Sequence, residues 1–218
     1  MIRIKKILLP LLAFAVFISC NKTDYNYPEG TVAGSKITFF PDLTYNGDNY
    51  VVVRAGETYT EPGVTAKENG AEIPVTIDGT VDTNTPGIYT LVYSAVNKDG
   101  FPATASRTVI VYETADDAIV NDFSGNYART TNGSVATWTK LAPGVYKVFN
   151  PGGAIGTNLT VIVFNPTALT IFIPEQIASD GSVTSSTNES YTNSVPPQFS
   201  WKIVNPGYGT GQRTFTKQ

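Results

Sequence analysis

The sequence has 218 residues but no histidine, one cysteine and one methionine, and only 15% of its residues are charged. The absence of histidine excludes the common catalytic triads and the histidine-containing haem and zinc sites. A single cysteine excludes a disulfide within the chain. The net charge of −3 disfavours a nucleic-acid-binding protein, which carries a basic surface. The composition that remains is globular, with 41% hydrophobic residues and an abundance of strand-forming residue types.

The first twenty residues have the layout of a secretory signal peptide. Arg3, Lys5 and Lys6 form a positive start, and an apolar run follows over residues 7–18. That run is too short to be interpreted as a transmembrane helix, and no later segment reaches the apolar length that spans a bilayer. Cys20, the single cysteine, comes directly after this segment.

This N-terminus resembles the signals of bacterial lipoproteins, in which a small residue precedes a cysteine that is diacylated and becomes the new N-terminus. Ser19 is that small residue, whereas Phe17 and Ile18 depart from the usual pattern. The resemblance implies that residues 1–19 are removed and that Cys20 carries a lipid, which anchors the protein stably to the outer membrane. Asp24 is a weak form of the acidic export signals of such lipoproteins, so we expect display on the cell surface. An unmodified Cys20 in an ordinary secreted protein is the alternative.

The rest of the chain predicts an all-β protein with a tether and two domains. Residues 20–34 are polar, contain Pro and Gly, and are typical of a flexible tether. From residue 35 onward, short segments rich in Thr, Val, Ile and Tyr recur at roughly the 8–12-residue spacing of a β-sandwich. Residues 115–121 predict a linker or a short helical turn. The predicted domains are therefore 35–114, an immunoglobulin-like sandwich, and 115–218, a small antiparallel sandwich or barrel.

Individual strands follow from the same patterns. In the first domain we predict strands at 36–40, 50–54, 73–77, 87–97 and 103–113. In the second we predict strands at 125–129, 135–141, 145–150, 159–165, 169–174, 198–205 and 212–217. The segment 159–164 is apolar on both faces, which indicates a central strand. Residues 179–194 are polar and lack periodicity, which predicts a long exposed loop.

The immunoglobulin-like prediction also depends on a resemblance. The pieces that carry it are AGETY from residue 55, PGVTA from 62, VDTNTPGIYTLVY from 81 and ASRTVIV from 105. In order and spacing they resemble the immunoglobulin-like repeats of bacterial surface proteins. The resemblance implies a seven-stranded type of sandwich and a role as a spacer or interaction domain, with no catalytic residues to transfer.

A second resemblance concerns the architecture. The C-terminal domain ends in FSWKIVN at 199–205, GYG at 207–209 and RTF at 213–215. Together with the lipoprotein signal and the immunoglobulin-like domain, this arrangement resembles accessory lipoproteins of starch-utilisation-system-type gene clusters. It implies a surface protein that binds glycan or supports glycan uptake, with outer-membrane transport proteins as partners. A structural or protein–protein interaction module without a small ligand is the alternative.

Glycan binding requires exposed aromatic rings beside polar groups. The candidates in the C-terminal domain are Trp138, Tyr146, Trp201 and Tyr208. Trp201 shares a strand face with Phe199 and Ile203, which favours core packing. Polar sequence around Trp138 makes exposure more plausible there. Tyr208 lies in a Gly-rich turn, where it is either a binding residue at a loop tip or a lid on the end of the domain.

Catalysis and metal binding find little support. The carboxylates of the C-terminal half form no pair embedded in apolar sequence, as a glycosidase requires. Asp42, Asn46 and Asp48 do not reproduce the EF-hand spacing and are typical of turns. The Gly-rich piece at 151–156 lacks the Lys-Ser/Thr of a phosphate-binding loop. We therefore expect no enzymatic activity, no metal, no cofactor and no nucleic-acid partner.

Overall fold

The computed structural model describes residues 28–32, 35–209 and 211–218, and the chain divides into two compact units, residues 1–39 and 40–218. The signal peptide, Cys20 and most of the tether lie outside the described residues. In the first unit, β1 (Thr31–Val32) and β2 (Ser35–Lys36) form an antiparallel pair. The strand predicted at 36–40 therefore does not form beyond Lys36. All other described elements belong to the second unit.

The N-terminal part of the second unit is a sandwich of two sheets, called the sandwich lobe (residues 42–112). One sheet has the order β3-β5-β6 and the other β4-β9-β8-β7. The strands are β3 (Asp42–Tyr45), β4 (Tyr50–Arg54), β5 (Val64–Glu68), β6 (Ala71–Ile73), β7 (Thr76–Asp78), β8 (Gly87–Val96) and β9 (Pro102–Tyr112). β4 and β9 run parallel, and the other neighbours are antiparallel. The predicted seven-stranded immunoglobulin-like sandwich is confirmed.

The C-terminal part is an eight-stranded antiparallel sheet that curls into an almost closed barrel, called the barrel lobe (residues 125–217). A short helix, α1 (Asp116–Ile119), precedes it where a linker or helical turn was predicted. The strands are β10 (Gly125–Arg129), β11 (Val135–Ala142), β12 (Val145–Phe149), β13 (Thr160–Phe164), β14 (Gln176–Ile177), β15 (Val183–Thr192), β16 (Gln198–Val204) and β17 (Arg213–Lys217). Of the two predicted alternatives for this domain, the barrel is the one that forms.

The order of the sheet is β13-β12-β11-β10-β17-β16-β15-β14, so every strand except β13 neighbours the next in sequence, and β17 pairs with β10. This is the connectivity of an up-and-down barrel with one seam, between β13 and β14. At the seam, the Gln176 side chain bonds the backbone of Ile162, and the Ser179 hydroxyl accepts a hydrogen bond from the Thr160 N–H at 2.8 Å. Side chains thus satisfy backbone groups of β13 that have no ladder partner at the seam.

The interior of the barrel is filled with side chains. Residues that alternate along each strand face inward, as an eight-stranded barrel requires. Aromatic rings dominate this core, with Phe123, Tyr127, Trp138, Tyr146, Tyr191, Phe199, Trp201 and Phe215 all buried. Many of these rings are in mutual contact, which suits a packed core better than a ligand cavity.

The two lobes pack against each other through a second apolar cluster. Ile110 of β9 is buried together with Val145, Ile162 and Phe164 of the barrel. β13 is consequently buried on both faces. Val161 and Val163 face the barrel interior, whereas Ile162 and Phe164 face the sandwich lobe. The prediction that this strand is central was wrong. It lies at the end of the sheet and is buried by the other lobe.

Other differences have local causes. Residues 179–194, predicted to be a loop, contain the ten-residue strand β15, whose side chains are almost all polar. The strand predicted at 73–77 is split into β6 and β7 around Pro74, which lacks the N–H that a continuous ladder needs. At 169–174 there is one isolated bridge, between Phe164 and Phe172, in place of a strand. β3 and β5 were not predicted. The division of the chain into domains at residues 114 and 115 remains a prediction.

Candidate functional site

Three of the four aromatic candidates lie inside the barrel. Trp138 is 2% exposed, and Tyr146 and Trp201 are fully buried. The two tryptophan rings stack with their centroids 5.6 Å apart. Of the two alternatives that the sequence left open for Trp138, burial is the one that the structure shows, because β11 turns Trp138 inward in the same alternation as Ala136, which is also fully buried. None of the three rings has an open face on which a sugar could stack.

Tyr208, the fourth candidate, lies at one end of the barrel and is half-buried against the core. The guanidinium carbon of Arg213 lies 4.9 Å from the centroid of its ring. Its hydroxyl is 3.2 Å from the Thr157 hydroxyl. The backbone of Gly152 packs against the ring so closely that a Cβ there would lie 2.1 Å from Cε1. Tyr208 therefore acts as a lid on the barrel end, and its role in ligand binding remains a prediction.

The same end of the barrel is covered by the Gly-rich segment 150–156, here called the cap loop. Three successive carbonyls of this loop accept hydrogen bonds from the barrel: Pro151 O from Trp201 Nε1 at 2.8 Å, Gly152 O from Arg213 Nη1 at 2.8 Å, and Gly153 O from Arg129 Nη1 at 3.2 Å. Gly153 has a φ of 55°, and a Cβ there would lie 2.8 Å from Phe215. Glycine is required at position 153, because a side chain there would strain the positive φ and collide with Phe215.

Arg129 and Arg213 come together through the pairing of β10 with β17. Arg129 lies opposite Phe215, and Arg213 is two residues further along the same strand. The two arginines are thus diagonal neighbours on the inward face, within reach of each other's long side chains. Burial lowers the pKa of Arg213, and the positive charge of Arg129 lowers it further.

Neither arginine has an acidic partner among the described residues. In the described parts of the chain, ion pairs are found between Glu68 and Lys98 and between Glu61 and Arg107, both in the sandwich lobe. The Nε groups of Arg129 and Arg213 are buried, and no atom of the described residues accepts a hydrogen bond from them. The sequence analysis missed this pair. The alternation that places Tyr127 and Phe215 in the core would have placed both arginines on the same inward face.

The sandwich lobe contains a buried charge of its own, but that charge is neutralised. Arg107 is fully buried and forms an ion pair with Glu61. Its guanidinium also donates to the carbonyls of Asp48 and Asn46, each at 2.9 Å. Tyr93 donates to the same Glu61 carboxylate at 2.6 Å. This network ties two loops to the core, so we interpret it as structural.

Asp122 precedes the barrel and Asp180 lies in a turn, whereas Glu189 lies on β15. Hydrogen bonds from the hydroxyl and the backbone N–H of Ser124 lower the pKa of Asp122. Ser182 lowers the pKa of Asp180 in the same way. A general acid needs a shift in the opposite direction. In the described ranges no group of three or more His, Cys, Asp or Glu is placed to hold a metal ion. Those ranges also contain no helix with the length and apolarity needed to cross a membrane.

A groove of about 610 Å³ runs between the two lobes of the second unit. Tyr50 and Val92 line it on the sandwich side, and Ile177 and Ser179 line it on the barrel side. Tyr50, Val92 and Ile177 are all exposed, Ile177 by 62%. The groove is therefore a surface with accessible apolar side chains, next to the seam of the barrel.

Comparison with known proteins agrees with the sandwich assignment. The family described as "Bacterial surface protein, Ig-like domain" matches residues 43–111, which is nearly the whole sandwich lobe. That lobe is thus an immunoglobulin-like domain of the kind found in bacterial surface proteins. No curated protein matches the chain.

Two solved structures show a distant likeness. The lipoprotein BT2262 from Bacteroides thetaiotaomicron is 27% identical, with a TM-score of 0.42, over 82% of this chain and 100% of that one. The M60 catalytic domain with the CBM51-1 and CBM51-2 domains of Clostridium perfringens ZmpB is 16% identical, with a TM-score of 0.31, over 84% of this chain and 21% of that one. Both TM-scores are low, so neither structure superposes closely on this chain.

Proposed function

We propose that this chain is a non-catalytic accessory protein of the bacterial cell surface, anchored to the outer membrane by a lipid at Cys20, that binds a partner protein of an outer-membrane uptake complex. The burial of Trp138 supports the proposal most directly. A protein that bound glycan through Trp138 would leave this ring on an open face. A protein-interaction module has no such need and can bury the ring in its core. The surface origin is supported by the family that matches residues 43–111.

The groove between the lobes supports the proposal that the partner is a protein. Large apolar side chains are exposed along it, and Ile177 is the most accessible of them. Clustered exposed apolar residues on an otherwise polar surface are typical of protein interaction sites. The buried cluster around Ile110 and Ile162 holds the two walls of the groove together. We therefore place an apolar segment of the partner in this groove.

Site-specific photo-crosslinking in the native bacterium tests this interaction. A photoreactive residue replaces Ile177 in one strain and Val195, which is fully exposed away from the groove, in a matched control. We expect position 177 to crosslink to an outer-membrane protein that position 195 does not reach. The charged variant Ile177→Asp, introduced in a strain with a photoreactive residue at Val92, should abolish the same adduct. Identical adducts from positions 177 and 195, or none from 177, would contradict the proposal.

The lipid anchor is tested separately. Mass spectrometry of the mature N-terminus should find a diacylated Cys20, and Cys20→Ala should release the protein in soluble form. An unmodified mature N-terminus at any other residue would exclude lipidation. Protease treatment of intact cells distinguishes the outer face of the outer membrane, where the protein is degraded, from the inner face, where it is protected.

Glycan binding is the second candidate function, and Tyr208 is the observation that favours it. This ring is the only one of the four sequence candidates that reaches the surface, and the Thr157 hydroxyl lies beside it. A glycan array with the mature protein is the direct test. If a glycan binds, Tyr208→Ala should weaken that binding, while Tyr50→Ala, which changes an exposed tyrosine of the groove, should not.

A further inference from the structure

We propose that Arg129 and Arg213, at the end of the barrel covered by the cap loop, bind the carboxylate or sulfate group of an acidic sugar. The site deepens the second candidate function, glycan binding, by naming the class of glycan. It is independent of the proposed partner protein, whose groove is lined by other residues.

The first argument is the missing counter-charge. Two half-buried guanidinium groups lie close together, and no carboxylate among the described residues neutralises them. The buried Arg107 of the same chain shows the usual solution, since Glu61 neutralises it. An anionic ligand would supply at the barrel end what Glu61 supplies in the sandwich lobe.

The second argument is the orientation of the two guanidinium groups. Each uses its Nη1 to hold a carbonyl of the cap loop, Gly152 O for Arg213 and Gly153 O for Arg129. These bonds fix both side chains before any ligand arrives, which lowers the entropy lost on binding. Neither Nη2 group bonds to another described residue. Oxyanions with several oxygens suit such paired, planar donors.

The third argument concerns the kind of molecule that carries the anion. Peptides commonly bind along a free sheet edge or in an apolar groove. Neither β10 nor β17 has a free edge, because each is paired on both sides. The polar side chains around the cap loop are instead Tyr208, whose ring lies against Arg213, Thr157, whose hydroxyl lies beside that of Tyr208, and Asn132, whose amide donates to Gly153 O at 3.0 Å. Hydroxyl and amide groups are suited to the hydroxyls of a sugar.

The test is calorimetry on the mature chain with four probes: an oligogalacturonate, a sulfated galactan oligosaccharide, the neutral galactan oligosaccharide of equal length, and oligoglutamate. We expect at least one acidic sugar to bind more than tenfold more tightly than the neutral one. R129Q and R213Q should each reduce that affinity about tenfold or more, which corresponds to about 1.4 kcal/mol. The matched control R54Q removes the same charge from an exposed arginine of the sandwich lobe and should bind as the unchanged chain does.

Three results would overturn the assignment. They are equal affinity for the neutral and acidic sugars, tighter binding of oligoglutamate than of any sugar, and the same loss of affinity in R54Q as in R213Q. Thermal unfolding is followed in every variant, and R213K keeps a donor for Gly152 O in case R213Q loses its fold. Retained affinity in a folded R213K with a folded R129K would also contradict the site, because lysine lacks the planar fork. Crosslinking at position 177 is unaffected by any of these results.

Discussion

The side-chain amide of Gln176 pairs with the backbone of Ile162 in the manner of a neighbouring strand. Its Nε2 donates to Ile162 O and its Oε1 accepts from Ile162 N, both at 2.8 Å. Gln176 is 7% exposed, so both bonds are screened from water. A single side chain thus satisfies two backbone groups that the short strand β14 leaves without a ladder partner.

We predict that Gln176→Leu destabilises the barrel by about 2–4 kcal/mol, because two buried backbone groups lose their partners. Urea unfolding of the mature chain measures the change. Gln198→Leu is the control, since Gln198 is exposed on β16 and its replacement should change the free energy of unfolding by less than about 0.5 kcal/mol. Equal effects of the two substitutions would exclude a special role for Gln176 at the seam.

Trp138→Ala should lower the free energy of unfolding by about 3–5 kcal/mol, because it removes the largest kind of side chain from a closely packed core. Trp138 contacts the rings of Phe199, Trp201 and Tyr146. Denaturant unfolding and near-UV circular dichroism check the result. Val195→Ala serves as the exposed control. A Trp138→Ala variant of unchanged stability that had lost glycan binding would contradict the core assignment.

Glu61→Gln should destabilise the sandwich lobe by about 3–5 kcal/mol, because it leaves Arg107 charged and buried without its counter-ion. The double variant Glu61→Leu, Arg107→Met should recover much of this loss, since it removes both charges. Glu57→Gln makes the same change at an exposed position and is the control. If the double variant is less stable than Glu61→Gln, the hydrogen bonds of this network stabilise the lobe beyond the neutralisation of charge.

Stability should fall in alkaline solution. Burial raises the pKa of Tyr146 and of Tyr93 to about 12. The unfolded chain releases these protons near pH 10, so the stability that they contribute is complete below pH 10 and is lost as the pH rises towards 12. Urea unfolding at pH 9, 10 and 11 measures the slope. Tyr146→Phe should make the slope shallower, and Tyr50→Phe on the surface should leave it as it is. A stability that stays constant to pH 11 would contradict this assignment.

The predicted division into two domains can be tested by cleavage between residues 114 and 122. We expect two pieces that fold but are each less stable than the same lobe in the intact chain, because separation exposes Val145, Ile162 and Phe164. Binding of a hydrophobic dye to the 122–218 piece should reveal this surface, and Ile162→Thr should reduce it. An unfolded piece would show that the lobes are one cooperative unit.

The sequence predicts strands best where apolar residues alternate. β10 and the predicted segment coincide, and β11, β12, β16 and β17 differ from theirs by one residue at most. β15 was missed because its inward residues include Thr184 and Ser186, which are satisfied by hydrogen bonds rather than by apolar contact. The pattern gives no sign of a strand when polar side chains face inward.

The candidate site was less accessible to sequence reasoning. Lys140 shares the face of Trp138 and favoured exposure of that ring, yet the Lys140 ammonium reaches the carbonyl of Asn121 at the barrel end, 2.6 Å away. A long side chain can lie on an inward face and still place its charge at the rim. Arg129 and Arg213 follow the same rule, but they are 84 positions apart in the sequence. Only the pairing of β10 with β17 brings them together.

That pairing also dictates the order in which the barrel can be completed. β10 is the first strand of the barrel in the sequence. One of its two neighbours in the sheet, β17, is the last. Until β17 arrives, the aromatic face that carries Tyr127 and Trp138 belongs to an open sheet with unpaired edges. Contacts between such distant segments form slowly, because a long loop must close first. Folding of this lobe should therefore have a late rate-limiting step, during which the half-made sheet is vulnerable to aggregation and proteolysis.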